Sequence, residues 1–427
     1  MKRSIGLAFA VAALPASAAD QARMEALGKA VFFDTTLSAG ANQSCAFCHD
    51  PATGFAAPDA VANTGGGVVQ GSVAGLFSNR KPPTAAYAYA APPLHHVMEE
   101  GAPLFVGGAF HDGRATGNAA GSVLADQAMG PFLNPAEMAL PHAACVVARV
   151  CAQGPEEGYA VGLRDLDPRA CAMPLPGTLA ADCADPGAVI ELNEETAAAV
   201  DASFTLIARS VAAFEASAAV SPFASRFDRW QAGQAELTGQ ERAGFELFRD
   251  KALCAECHVL DPGPNGEPAL FTDFTYDNLG VPRNPANPWY GQAANTAGAG
   301  WVDRGLAATL EGDAVYAPFA SFQEGKQKVP TLRNVDARAT PDAPRAYMHN
   351  GWFKTLEGVV RFYNTRDVLP ACEGDATEAE ALARGCWPAP EVAANVNHDE
   401  LGDLRLTRAE EAAIVAFLRT LTDETAD

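Results

Sequence analysis

The chain is poor in positive charge. Its 427 residues carry 30 Lys and Arg against 52 Asp and Glu, a formal net charge of −22. Nucleic acid, itself a polyanion, is excluded as a partner, whereas a basic redox protein or a small neutral substrate suits such a surface. Long apolar runs are scarce too. Residues 5–14 form one, about half the length that crosses a bilayer, so no membrane span is expected. Alternating apolar and polar stretches are also missing. That leaves no convincing sheet and predicts a mainly α fold.

The one apolar run has a meaning of its own. Lys2 and Arg3 precede it and Ala16-Ser17-Ala18 follows it. A charged start, an apolar middle and a small-residue cleavage site make residues 1–18 a signal peptide, and a Gram-negative periplasm the address. Cleavage after Ala18 removes two positive charges and takes the formal charge to −24.

Cysteine is what the chain does have, ten in all. Four lie in two C-x-x-C-H motifs, Cys45, Cys48 and His49, then Cys254, Cys257 and His258. This motif attaches c-type haem: the thiols add to the vinyl groups and the histidine becomes the proximal iron ligand. In an oxidising compartment the other six suggest three disulfides. Cys372 and Cys386 stand alone near the C-terminus and pair. Cys145, Cys151, Cys171 and Cys183 allow three connectivities, all open.

What lies across each iron decides its chemistry. A second strong ligand gives electron transfer; an open face gives chemistry with oxygen or peroxide. No histidine or methionine occurs between Asp50 and Leu94. His95, His96 and Met98 follow, in what reads as a polar surface loop, and any of them could close the first iron. The stretch QAMGPFLNPAEM brings Gln127, Pro131 and Glu137 together in a Pro-broken loop. A shielded carboxylate there could take a proton from one peroxide oxygen and return it to the other, with the amide as a positioner.

The motifs sit in a duplicated plan. LGKAVFFD before CAFCH and AGFELFRDKAL before CAECH each have a glycine, an apolar helical stretch and a short link. Thr238 with Glu241, and Thr407 with Glu410, are capping boxes that open helices. Residues 196–218 form a long helix with Leu206, Val211 and Phe214 buried. The last helix buries Ile414, Phe417, Leu418 and Leu421. Pro- and Gly-rich loops cover 50–83, 101–122 and 261–305, where function tends to reside.

LGKAVFFD with CAFCH, HDGRA (111–115), QAMGPFLNPAEM, LFRDKALCAECH, VPTLRNV (329–335), YMHNG (347–351) and TLEGVVRFYN (355–364) occur in order across nearly the whole mature chain. Together they resemble the bacterial di-haem cytochrome c peroxidases and the related MauG-type enzymes. The resemblance implies two cytochrome c-like domains, at 19–225 and 226–427, with long ordered loops and two covalent c-type haems facing a common interface. The first haem is then the peroxide-reacting one, with Glu137 and Gln127 in the acid–base and positioning roles. The second is low-spin. Members often form homodimers.

Three departures matter. The histidine that caps the resting first iron in classical members falls on Ser72 or Val73, so that iron should be open at rest, as in MauG-type enzymes. The tryptophan often found between the haems is His111 here, harder to oxidise and available as a ligand or as a hydrogen-bonded interface residue. The asparagine that binds calcium between the domains is replaced by Lys81 after Arg80. A lysine cannot coordinate calcium, so calcium is not expected.

Tyr363 lies on an apolar helical face with Leu356, Val359 and Val360. It also stands 14 residues after His349, where the resemblance places the distal ligand of the second haem, methionine in classical members and tyrosine in MauG-type ones. Met348 is the rival. Methionine raises the iron potential; an anionic tyrosinate favours the oxidised metal and makes the site a store for oxidising equivalents. Three functions follow from these readings: a peroxidase fed by a small cytochrome or copper protein; a MauG-type enzyme oxidising a protein or organic substrate, through surface tryptophans such as Trp230; or a non-enzymatic electron-transfer or sensor cytochrome with both irons closed.

Overall fold

The computed structural model describes residues 17–58, 60–99, 101–263 and 265–424; the signal-peptide reading therefore falls almost entirely outside the described residues. The chain is mainly helical. The elements that frame the site are α1 (Ala18–Phe33), α2 (Cys45–Cys48), β1 (His95–Glu99), β2 (Ala102–Val106), α3 (Val123–Leu133), α4 (Ala143–Ala152), α5 (Glu194–Glu215), α6 (Gly239–Arg249), α7 (Cys254–Cys257), β3 (Tyr276–Asp277), β4 (Gln327–Lys328), α8 (Leu356–Thr365) and α9 (Arg408–Arg419).

Two hydrophobic cores divide along the sequence. Leu27, Val31, Phe32, Val147, Ile207, Val211 and Phe214 belong to the first, built by α1, α4 and α5. Phe227, Phe248, Phe271, Phe362, Ile414 and Phe417 belong to the second, built by α6, α8 and α9. Each such side chain contributes about 1.5–3 kcal/mol on burial.

The duplicated plan is a duplicated helix crossing. α1 packs on α5 and α6 packs on α9. At both crossings the repeat's glycine allows the approach: a Cβ on Gly28 would lie 1.8 Å from the Ser210 carbonyl oxygen, and one on Gly244 would lie 1.9 Å from that of Ala413. The capping boxes are formed. Thr238 Oγ1 accepts from Glu241 N–H at 3.2 Å while Glu241 Oε2 accepts from Thr238 N–H at 2.7 Å; Thr407 and Glu410 do the same for α9.

The structure corrects the sequence in three places. Residues 95–106 are an antiparallel hairpin, with His95 opposite Val106 and Glu99 opposite Ala102, rather than a loop in a sheet-free chain. A second, shorter ribbon pairs Tyr276 with Lys328 and Asp277 with Gln327. β1 is largely exposed, β2 is a five-residue apolar run and the second ribbon has only two residues a strand, so none shows the alternation of apolar and polar residues that marks a strand in sequence. Finally, α5 is long and apolar enough to cross a membrane, yet it packs into the first core, where Phe204, Ile207 and Val211 are buried.

The three disulfides are Cys145–Cys183, Cys151–Cys171 and Cys372–Cys386. The first two tie α4 to the segment between it and α5.

Candidate active site

Cys45, Cys48, Cys254 and Cys257 take no part in the three disulfides. Each pair forms a single helical turn on the wall of a large cavity, and the histidine that follows lines the same space. His49 Nδ1 bonds the Phe55 carbonyl at 3.1 Å, and His258 Nδ1 bonds that of Phe271 at 2.8 Å. A carbonyl only accepts, so Nδ1 carries the proton and Nε2 is left as the metal-binding nitrogen. Phe55 and Phe271 both hold left-handed backbone, φ 57° and 54°, so the two turns that aim these carbonyls share a conformation. Burial pushes both histidines down to about 4, which keeps them neutral as iron ligands must be.

The cavities enclose about 1800 and 1350 Å³ including the open space at their mouths. Their walls also hold Gln43 Oε1, Glu215 Oε2, Trp289 Nε1 and both polar atoms of the Gln327 side chain, all buried and without a hydrogen-bond partner. Each such atom costs about 1–3 kcal/mol unless a ligand or water meets it. Attachment thiols, neutral histidines, size and orphaned polar atoms all fit a haem in each cavity.

Gln127, Pro131 and Glu137 line the first cavity with Cys45, Cys48 and His49. Gln127 and Pro131 are on helix α3, not in a loop: Ser122 caps it, and Pro131 falls inside its last turn, where the absent N–H leaves the Gln127 carbonyl without its intrahelical bond. Their i, i+4 spacing puts both on one face. Glu137 follows the helix. Its Oε1 accepts from Ser78 Oγ at 3.1 Å and Asn134 Nδ2 at 3.0 Å, while Oε2 has no such bond among the described residues. Burial raises the Glu137 pKa, against the opposing pull of Arg114, Ser78 and Asn134.

Ser72 serves a different purpose from an iron cap. Its Oγ donates to Asn42 Oδ1 at 2.7 Å, and its N–H donates to the Glu137 carbonyl at 2.7 Å, so it braces the backbone of Glu137. Neither Ser72 nor Val73 lines the cavity. His95, His96 and Met98 stand in the hairpin, away from both cavities; His96 packs on Phe105 and Phe319.

Tyr363 and Met348 both line the second cavity with Cys254, Cys257 and His258. Tyr363 extends from α8, and its hydroxyl has no hydrogen-bond partner among the described residues. Burial pushes that phenol's pKa up. Met348 holds left-handed backbone, φ 65°. Trp230 packs between Phe227 and Phe245 and lines neither cavity.

The two cavities share a wall of Lys81, Pro83, Thr84, His111, Lys328, Pro330 and Thr331. His111 is the hydrogen-bonded interface residue: its Nε2 donates to the Lys81 carbonyl at 3.0 Å, and burial pushes its pKa down to about 3. Lys81 Nζ donates to the Pro82 carbonyl at 3.1 Å. Burial, with Arg345 and Lys354 nearby, brings Lys81 down to about 7, and burial brings Lys328 to about 8. Behind this wall Arg80 joins the halves, bidentate to Asp303 at 2.6 Å and bonded to Asp112 at 2.5 Å. Asp303 is held well below the usual carboxylate range, Arg80 overcoming the burial.

Sequence reasoning missed Glu215, Lys328 and Trp289. An acid inside the apolar run SVAAFEASAAV was a readable signal for the first. No local signal announces that Lys328 and Trp289, from the second half, line the first cavity.

Two C-x-x-C-H cavities sharing a wall in a mainly helical chain define a di-haem c-type cytochrome. Residues 22–236 match the family described as di-haem cytochrome c peroxidase. The methylamine utilization protein MauG of Paracoccus denitrificans is 33% identical over 416 residues, covering 96% of this chain and 92% of that protein. Cytochrome c peroxidase Ccp of Escherichia coli is 26% identical, covering 82% of this chain and 54% of that one. Among solved structures, the diheme peroxidase BthA of Burkholderia thailandensis superposes with a TM-score of 0.70 at 32% identity, covering 94% of this chain and 86% of that one. The chain belongs to the di-haem cytochrome c peroxidase and MauG family.

Proposed function

We propose that this protein is a periplasmic enzyme that activates hydrogen peroxide at the first cavity, in two haem-binding units that meet near residue 225. Haem, held covalently by Cys45 and Cys48 and ligated by His49, supplies the redox-active iron that accepts cleavage of the O–O bond. The observation that carries the reading is Glu137, a buried carboxylate on the wall of the His49 cavity whose Oε1 is held by Ser78 and Asn134 and whose pKa burial raises. Its Oε2 takes the proton of one peroxide oxygen and delivers it to the other, which leaves as water. Ser78 and Asn134 fix Oε1, so Oε2 keeps its aim. The Gln127 amide donates to the bound oxygen, and Pro131 sets the helix end that brings Gln127 and Glu137 together.

In the second cavity Cys254 and Cys257 attach the haem and His258 ligates it. Tyr363 would be the second protein ligand to that haem, since its hydroxyl has no partner among the described residues and it lines the same cavity, and Met348 is the alternative donor. An anionic oxygen ligand suits a centre that stores oxidising equivalents. Electrons come from a small basic redox protein, attracted by the acidic surface, or from an oxidisable organic or protein substrate. Calcium is not required, since Lys81 and Lys328 already bring positive charge to the wall between the cavities. The closed electron-transfer reading has no support, because His95, His96 and Met98 stand in the hairpin.

The test is stopped-flow absorbance of the fully ferric protein with one equivalent of hydrogen peroxide. Reaction without prior reduction is expected, and Glu137→Gln should slow it by about 10²–10⁴-fold. An unchanged rate in the variant removes Glu137 from the mechanism. No reaction until an electron is added means that a ligand closes the first iron.

A further inference from the structure

Trp289 comes from the second half of the chain yet lines the first cavity. It is fixed there by polar staples. Trp289 N–H donates to Asn287 Oδ1 at 3.0 Å, and Asn287 Nδ2 donates to the Asn79 carbonyl at 2.8 Å. Three residues on, the Gln292 side chain bonds both the N–H and the carbonyl of Phe77, each at 2.8 Å. The Trp289 indole N–H is buried without a partner.

Outward from Trp289 the aromatics continue. Its ring centroid lies 6.2 Å from that of Trp301, which is partly exposed, and Trp301 lies 6.0 Å from Tyr290. Tyr290 in turn donates its hydroxyl to Glu391 Oε1 at 3.3 Å. Indole and phenol are the side chains most readily oxidised by one electron, and rings at these separations are in near contact. In the other direction the shared wall presents His111, a poorer electron carrier.

We propose that Trp289 and Trp301, with Tyr290 beside them, form an electron path from the protein surface into the first cavity, and that the reducing substrate delivers its electrons at Trp301. The proposal rests on the peroxide reading above. Reduction of one peroxide to two waters takes two electrons and two protons. Each electron leaves Trp289 for the cavity, is replaced from Trp301, and is replaced there by an external one-electron donor. After two passes both indoles are unchanged and the donor has lost two electrons. When Tyr290 takes part, its phenol proton moves to Glu391 and returns on reduction. The two protons that complete the waters come from solvent.

A path of this kind damages itself when no donor is present. The ferric di-haem protein is therefore treated with excess hydrogen peroxide without a donor, the haem absorbance is followed, and oxygenated tryptophans are located by peptide mass mapping. Oxygenation should gather on Trp301 and Trp289 and spare Trp230, Trp352 and Trp387. Trp289→Phe should reduce modification of Trp301 at least tenfold, and Trp301→Phe should move it onto Trp289. Haem content, measured by absorbance, checks that each variant is loaded; because Trp301 is partly exposed, its variant keeps the test open should Trp289→Phe load poorly. Equal oxygenation of Trp301 with and without Trp289, or modification centred on Trp230, overturns the path. A haem spectrum that changes while every tryptophan stays intact also overturns it but leaves the peroxide reading standing. A spectrum that does not change removes both.

Discussion

Glu215 shows how a single residue can carry pH dependence. It closes α5, is 4% exposed, and burial alone pushes it up from 4.5 to about 8. The folded chain therefore keeps this proton up to about pH 8, while the unfolded chain releases it near 4.5. Between those values rising pH strips the proton from the unfolded state only, so stability falls as pH rises, by at most about 1.4 kcal/mol per unit. Glu215→Gln should remove that slope, and the variant should gain on the parent in urea unfolding as pH goes from 5 to 8. Glu137 has the same sign of shift with a different readout. As the base it must be ionised, so the peroxide rate should fall as pH drops through a pKa above the ordinary 4.5, and Glu137→Gln should lose that limb. Tyr363→Phe should change the spectrum and potential of the second haem while Met348→Leu does not; the reverse result makes Met348 the ligand. The four motif cysteines and two motif histidines could be picked out in sequence because the attachment motif is local, whereas the pairing of Cys145, Cys151, Cys171 and Cys183 could not. For Glu215 the acid in an apolar run was a readable signal of burial, but its place on the cavity wall comes from the packing of α5, distant in sequence from the α2 cysteines.

At the scale of elements, the two glycine crossings make a paired experiment. Alanine raises helix propensity by about 0.8–1 kcal/mol over glycine, which by itself would stabilise α1 and α6. Here the added carbon would sit under 2 Å from a carbonyl oxygen of the facing helix. Overpacking costs about 1–3 kcal/mol, occasionally more, so the clash wins. Gly28→Ala and Gly244→Ala should each lower the denaturation midpoint; a rise in either would mean that the crossing yields easily. Both capping boxes were readable because a cap is a four-residue event. The hairpin at 95–106 was not: His95-His96-Val97-Met98 shows no alternation, and its strand is mostly exposed. The helix through Pro131 was hidden by the residue that normally ends one; here the helix stops two residues later, at Leu133.

Across the whole molecule the halves are joined by charge as much as by apolar contact. Arg80→Met would leave Asp303 and Asp112 buried without that partner, a loss of about 3–5 kcal/mol. Because the Asp303 pKa is depressed, this stabilisation is present above the ordinary carboxylate pKa and lost as pH falls below it. Both haem spectra should respond together in the variant, since the wall serves both cavities. Treatment with a chelator, by contrast, should leave the melting temperature and both spectra unchanged, because Lys81 cannot coordinate calcium. A chelator effect would show that a cation binds there after all.

The first cavity is not the property of the first half. Trp289, Lys328, Pro330 and Thr331 complete its wall and are synthesised long after Cys45, Cys48 and His49. A nascent chain whose first haem is already attached therefore holds an unfinished chamber until the second half docks. If the proposed function is right, maturation order acts as a safety catch: the first cavity cannot work before the second half has closed its wall.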